Sequence, residues 1–143
     1  MDEFIKREII LDNYQNPKHK TTPNTDEYIH INMNSKSCID EVNVYLKVKD
    51  NVIEDALFDG EACAICTSSS SIMCELLIGK TLDEALNIIN NFHNMIDEKE
   101  YDKDILGEAL VYDTIYKQPN RIKCATLAWD GALKALNGET DGK

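Results

Sequence analysis

An α+β fold, one three-stranded antiparallel sheet with about five helices packed on it, is the architecture this sequence predicts. Three short segments with alternating apolar residues crowd into positions 28–58, and the helical spacing that opens the chain returns after them. Strands gathered first and helices afterwards mark α+β, whereas strict alternation would mark a parallel α/β sheet.

The first element is a helix. Phe4, Ile5, Ile9, Ile10 and Tyr14 cluster on one side of a helical wheel, and the helix stops at Asn16 before Pro17. A polar connector, KHKTTPNTDE, leads to the strands. In YIHINM, Ile29, Ile31 and Met33 alternate; in EVNVYLKVK, Val42, Val44, Leu46 and Val48 alternate; VIEDALF follows the Asp50-Asn51 turn. From Thr67 the pattern turns helical, with Met73, Leu76 and Leu77 as core candidates and Gly79 as the stop. Thr81 and Glu84 form a capping box that opens a helix through Leu82, Leu86, Ile89 and Phe92. The run DEKEYDKD reads as a solvated loop, ILGEALVYDTIY as a shorter helix ended by Pro119, and RIKCATLAWDGALKAL as an amphipathic helix with Leu127, Leu133 and Leu136 on its apolar face.

With 143 residues and no internal repeat, residues 1–143 are expected to form one domain, with the tail 137–143 frayed. The 15 basic and 26 acidic residues leave a net charge of −11, which repels nucleic-acid backbones and anionic lipid alike. No apolar run is long enough for a membrane span, and MDEFIKREII interleaves charge with apolar residues instead of building a signal-peptide core. The expectation is a cytoplasmic protein. In that reducing compartment, five cysteines suit ligands, nucleophiles or buried packing better than a disulfide framework.

Two of those cysteines stand at CxxC spacing in GEACAIC, Gly60 to Cys66, just before the tract TSSSSIM. They can be a redox pair, half of a metal clip, or one functional thiol beside a bystander. Cys38 falls in the loop between the first two strands, Cys63 where the third strand hands over to a helix, and Cys124 near the start of the last helix. A helix N-terminus favours the thiolate through its unpaired N–H groups. Cys74, among Met73, Leu76 and Leu77, reads as a buried, inert thiol. In CID, Cys38 and Asp40 point to one side of an extended loop, so thiolate and carboxylate can reach one ion together. Added to Cys63 and Cys124, they make a set of three thiolates and a carboxylate. Such donors suit zinc and also an iron-sulfur cluster. Their summed negative charge calls for cations, and Arg121 and Lys123 in RIKC are at hand. The bland alternative makes each cysteine an unrelated small residue, since the intervals between Cys38, Cys63 and Cys124 match no standard zinc finger.

Taken together, LDNYQNPKHK, CID, LFDGEACAICTSSSSIM and RIKCATLAW resemble the iron-sulfur cluster assembly family related to IscU, and specifically its SufU-type branch. The long interval between Cys63 and Cys124 points to that branch, as does Lys123, because scaffold members carry a histidine before the last cysteine. The resemblance implies an α+β domain with its metal site at one end and zinc held by Cys38, Asp40, Cys63 and Cys124. It also implies Cys38 as the sulfur acceptor and a pyridoxal-phosphate-dependent, SufS-like cysteine desulfurase as the donor, whose docking swaps one of its histidines into the zinc site in place of Cys38. Downstream iron-sulfur assembly proteins would follow, and Arg121 would serve partner docking or charge balance. Cys66 stands where relatives often carry serine, which makes it the bystander. The chain departs from the family in Ser35-Lys36-Ser37 before Cys38, where a proline-containing turn is usual, in Ile39, and in Ala62 where glycine is common.

Three functional classes follow: a zinc-dependent sulfurtransferase activating a desulfurase, a scaffold that builds a cluster, and a protein with purely structural zinc. Lys123 favours the first over the second. Asp40 argues against the third, because an oxygen donor among thiolates is more easily displaced than the closed cysteine and histidine sets of structural sites.

Overall fold

The computed structural model describes residues 1–35 and 40–138. In chain order these form α1 (Glu3–Gln15), β1 (Ile29–Asn34), β2 (Glu41–Lys49), β3 (Val52–Asp59), α2 (Ala64–Leu77), α3 (Leu82–Ile96), three 3₁₀ turns, and α4 (Pro119–Leu136). The strands lie in the order β1-β2-β3, antiparallel throughout. The predicted α+β class is the observed one.

The meander follows from its turns and its alternation. Asp50 and Asn51 both adopt positive φ, 53° and 68°, and link β2 to β3 with Lys49 opposite Val52, the two-residue turn whose twist matches that of the strands. Val44 lies between Ile31 and Phe58, and Leu46 between Ile29 and Ala56, so one face of the sheet is apolar. Buried α4 and α2 cover that face. Gly131 lets α4 come close, since a Cβ there would sit 2.9 Å from Met33 Cγ and 3.1 Å from Val44 Cγ2. The outer edge of β3 is covered too. Thr21 N donates to Phe58 O at 2.9 Å and Ile53 N to Lys80 O at 2.8 Å, which closes an edge that would otherwise invite another chain.

Helix α1 spans the expected residues but faces the other way. Phe4, Ile5 and Tyr14 are exposed, Ile9 and Ile10 are half-buried, and the buried positions are Lys6 and Asn13. The surface that receives α1 is polar. Lys6 Nζ reaches Asp113 Oδ1 at 2.5 Å, and Asn13 accepts from Ser71 Oγ at 2.7 Å while donating to Glu108 at 3.2 Å. Polar partners selected the polar face, which a wheel drawn from hydrophobicity alone cannot anticipate.

Helix α2 begins at Ala64, three residues before the expected Thr67, so the serines occupy its middle. Ser68 to Ser71 are all buried. Ser69 donates to Ala125 O at 2.6 Å and accepts from Trp129 Nε1 at 2.9 Å, and Ser70 bonds back to Cys66 O at 2.8 Å. Small side chains bring α1 and α4 close, and each hydroxyl finds a partner, which is the condition for burying it without loss. Trp129 completes the joint by stacking on Phe92, ring centroids 3.9 Å apart.

The capping box of Thr81 and Glu84 is present as expected, and Gly79 takes φ +86° just beyond α2. The shorter helix expected over ILGEALVYDTIY is instead a string of 3₁₀ turns at Lys103–Ile105, Gly107–Tyr112 and Ile115–Lys117. Gly107, at φ +48° where a Cβ would sit 3.2 Å from Leu76 Cδ2, interrupts any continuous α-helical run. Pro119 ends this string and also starts α4 at its first turn, the helix position that proline tolerates. After α4, Asn137 and Gly138 form a turn, and the rest of the tail lies outside the described residues.

One half-buried polar clamp is pH-sensitive. His93 Nε2 faces Asp130 Oδ1 at 2.7 Å and Nδ1 faces Ile89 O at 3.0 Å. Both partners accept, so the imidazolium satisfies them and a neutral ring satisfies only one. The Asp130 hydrogen bond, against the opposing effect of burial and with help from Ile89 and Asp97, raises the His93 pKa above its ordinary value. A raised folded-state pKa means that the added stability is fully present below about pH 6.5 and is lost as pH rises through the folded-state value. Asp130→Asn is therefore expected to destabilise by about 0.5–1 kcal/mol at pH 5.5, after allowance for solvent at this half-exposed pair, and by less at pH 9. Urea unfolding of both proteins at the two pH values measures it; equal losses would exclude the charged clamp.

Candidate metal centre

Three elements deliver donors to one place. Asp40 immediately precedes β2, Cys63 is the N-cap of α2, and Cys124 sits in the second turn of α4. One ligand atom from each lies within 4.8 Å of the others. Asp40 and Cys124 are buried, at 3% and 1% exposure, while Cys63 is half-buried, so the group opens to solvent on one side.

Backbone amides hold Asp40 and Cys63 in place. Asp40 Oδ1 accepts from Cys63 N at 2.7 Å, and Cys63 Sγ donates to Asp40 Oδ2 at 3.2 Å. Cys63 Sγ also accepts from Cys66 N at 3.4 Å, a capping contact at the positive end of α2. The carboxylate thus uses an amide hydrogen bond to hold its orientation toward both thiols.

Gly60 ties the two donor segments together. Its φ is +122°, and a Cβ there would fall 2.2 Å from Glu41 O. Next to it, Glu41 N donates to Glu61 O at 2.9 Å. The turn carrying Cys63 is thereby fastened to the chain leaving Asp40. Gly60 was not singled out for this role from the sequence, although Asp59-Gly60 is a recognisable signal for a positive-φ turn.

The other predicted site residues separate clearly. Cys38 and its neighbours Lys36, Ser37 and Ile39 lie outside the described residues. Cys66 is fully buried at the third position of α2, and Cys74 is fully buried in the core, where burial, and then the Asp55 and Glu75 charges, push its thiol pKa well up. An inert Cys74 is what the sequence predicted. Arg121 and Lys123 are exposed in the first turns of α4, Arg121 one turn before Cys124. The histidines are engaged elsewhere: His19 with Glu75, His30 with Asn43 and His93 with Asp130. Among the described residues no histidine joins the donor group.

A buried carboxylate and two thiols converging from three elements make a donor set suited to a thiophilic ion. Residues 5–137 match the model of the NifU-like N terminal domain. The chain belongs to that family. It is 37% identical over 141 residues to the zinc-dependent sulfurtransferase SufU of Bacillus subtilis, covering 98% of this chain and 95% of that one. The iron-sulfur cluster assembly scaffold protein IscU of Thermotoga maritima is 35% identical over 134 residues, 94% of each chain. Among solved structures, FiSufU of the SUF system from Fervidobacterium islandicum superposes with a TM-score of 0.83 at 33% identity, covering 95% of this chain and 99% of that one. This NifU-like chain is therefore an α+β domain of the iron-sulfur cluster assembly family, and among its described residues no helix is long and apolar enough to cross a membrane.

Proposed function

We propose that this chain is a zinc-dependent sulfur acceptor of iron-sulfur cluster assembly, taking sulfur from the persulfide of a pyridoxal-phosphate-dependent cysteine desulfurase in the cytoplasm and passing it to downstream assembly proteins. The observation that carries the proposal is the convergence of Asp40, Cys63 and Cys124 in a chain with Lys123, not histidine, before its last cysteine. Cys38, two residues before Asp40, is assigned as the fourth ligand and the accepting thiol. When bound, zinc would keep these cysteines as thiolates at neutral pH.

Cys63 and Cys124 are held by helices and serve as anchors. Cys38 is proposed as the ligand that exchanges because it belongs to neither α2 nor α4. In the transfer, the Cys38 thiolate attacks the outer sulfur of the desulfurase persulfide. A new S–S bond forms at Cys38, the donor's S–S bond breaks, and the donor cysteine leaves as a thiolate, so no external oxidant or reductant is needed. Arg121, exposed one turn before Cys124, offers a cation to an acidic chain and is assigned to docking or charge balance.

Mixed with cysteine and a SufS-like desulfurase, the protein is expected to accelerate desulfurase turnover. Cys38→Ala should abolish the acceleration with zinc still measurable, and Arg121→Ala should weaken it about tenfold with zinc content unchanged. Mass spectrometry should place the added sulfur on the Cys38 peptide. Sulfur on Cys63 or Cys66 would sink the assignment, and iron with labile sulfide in protein purified without oxygen would favour the scaffold role of the IscU relatives.

A further inference from the structure

Sulfur transfer at the metal centre gives Cys66 no task, although it stands three residues after Cys63 in the CxxC of GEACAIC. The fold sets these two thiols on one turn. Cys63 is the N-cap of α2, with extended backbone at φ −68° and ψ 173°, and its Sγ turns back over the helix to accept from Cys66 N at 3.4 Å. Helical geometry separates Cα atoms three positions apart by about 5–6 Å, inside the span of about 4.4–6.8 Å that a disulfide bridges. Closing a bond between them asks for side-chain rotation within a single turn.

The pair is unequal in exposure. Cys63 is half-buried on the open side of the donor group, whereas Cys66 is fully buried. A small oxidant therefore meets Cys63 first and finds Cys66 behind it, the division of labour between an attacked thiol and a resolving one. The other described thiols are worse placed. Cys74 lies about 12 Å further along α2 than Cys66. Cys124 shares the donor group with Cys63, their ligand atoms within 4.8 Å, but it is carried by α4, so a bond to it would draw two packed helices together. A bound ion also engages Cys63 and Cys124 alike, while Cys66 stands outside that donor group.

We propose that Cys63 and Cys66 form a redox-modification site, at which hydrogen peroxide oxidises Cys63 and Cys66 closes the oxidised sulfur into a reversible disulfide. The Cys63 thiolate attacks one peroxide oxygen; the O–O bond breaks, and a sulfenic acid and hydroxide form. Cys66 sulfur then attacks Cys63 sulfur; the S–O bond breaks, the S–S bond forms, and the hydroxyl leaves as water with the Cys66 proton. The two sulfurs lose two electrons and one peroxide gains them. Cys63 is then no longer a thiolate donor, so the metal departs; that consequence rests on the zinc reading, and the disulfide does not. Without a resolving thiol, sulfenic acid at Cys63 proceeds to sulfinic and sulfonic acids that thiol reductants do not reverse. The buried partner keeps the loss of the site reversible.

The full zinc-loaded chain, treated with a molar excess of hydrogen peroxide, should release its zinc to a chromophoric chelator and become lighter by about 2 Da, the mass of two hydrogens. After alkylation, the tryptic peptide from Asp50 to Lys80, which holds Cys63, Cys66 and Cys74, should be modified at Cys74 alone. Dithiothreitol followed by zinc should restore at least about nine-tenths of the metal, and Cys74→Ser should behave as wild type. Cys66→Ser and Cys66→Ala should also release zinc, but with oxygen atoms fixed on Cys63 and less than about a tenth of the metal recovered. Circular dichroism before treatment confirms which variant is folded, and either one suffices. A bond from Cys63 to Cys124 or Cys38, or recovery in a folded Cys66 variant equal to that of wild type, overturns the proposal. Should the isolated chain hold no zinc, the same bond in the Asp50 to Lys80 peptide upholds the redox site while the zinc reading falls.

Discussion

Cys124→Ser is expected to empty the metal centre and lower the melting temperature by about 10–15 °C, which corresponds to about 4 kcal/mol in a domain of this size. Cys124 is 1% exposed and belongs to α4, the helix that packs on β1, β2 and α2. A metal bound there joins α4 to the start of α2 and to Asp40 before β2, so its binding free energy is also folding free energy. Cys63→Ser should also empty the metal centre, and its loss of stability should come from the metal alone, since serine can keep the N-cap of α2. Two controls separate metal loss from simple core damage. Cys66→Ser and Cys74→Ser replace thiols that are both fully buried and should cost about 1–2 kcal/mol for a buried hydroxyl while zinc content stays at one per chain. Zinc analysis beside thermal unfolding distinguishes the outcomes; loss of zinc in Cys66→Ser would make the CxxC a metal clip after all.

Gly60→Ala should be nearly as damaging although it removes no donor. At φ +122° a side chain is already strained, and the new Cβ would stand 2.2 Å from Glu41 O, a backbone atom that cannot swing aside. Either the turn into α2 or the start of β2 must move, at an expected cost of about 3 kcal/mol. Both segments carry donors, so the displacement separates Asp40 from Cys63. Zinc affinity should fall at least tenfold in competition with a chelator, even at temperatures where circular dichroism shows a folded chain. Gly79→Ala provides the comparison: Gly79 also has positive φ, +86°, but nothing lies within 4 Å of its missing Cβ, so a loss of about 1 kcal/mol with normal zinc binding is expected. Equal zinc affinity in the Gly60→Ala and wild-type proteins would remove Gly60 from any role in setting the site.

The strands, the Asp50-Asn51 turn, the Thr81-Glu84 capping box and the C-terminal end of α1 were legible in the sequence because each depends on neighbours a few positions away. Backbone sterics and local hydrogen bonds carry such signals. The candidate donors Asp40, Cys63 and Cys124 were legible as chemistry, through residue type and position at element ends, and their bringing together needed the fold. Cys38 remains a sequence-level assignment. What only the tertiary structure decided are contacts between distant segments. The inward turn of Lys6 and Asn13 depends on Asp113, Ser71 and Glu108, more than fifty residues away. The serine tract became helix interior because Ala125, Tyr112 and Trp129 supply hydrogen-bonding partners from the other end of the chain. Gly60 is required by the approach of Glu41 O. Local pattern determined which elements form, while the long-range match of polar groups and volumes determined which face each element turns inward, since a buried polar group is tolerated only where another segment satisfies it.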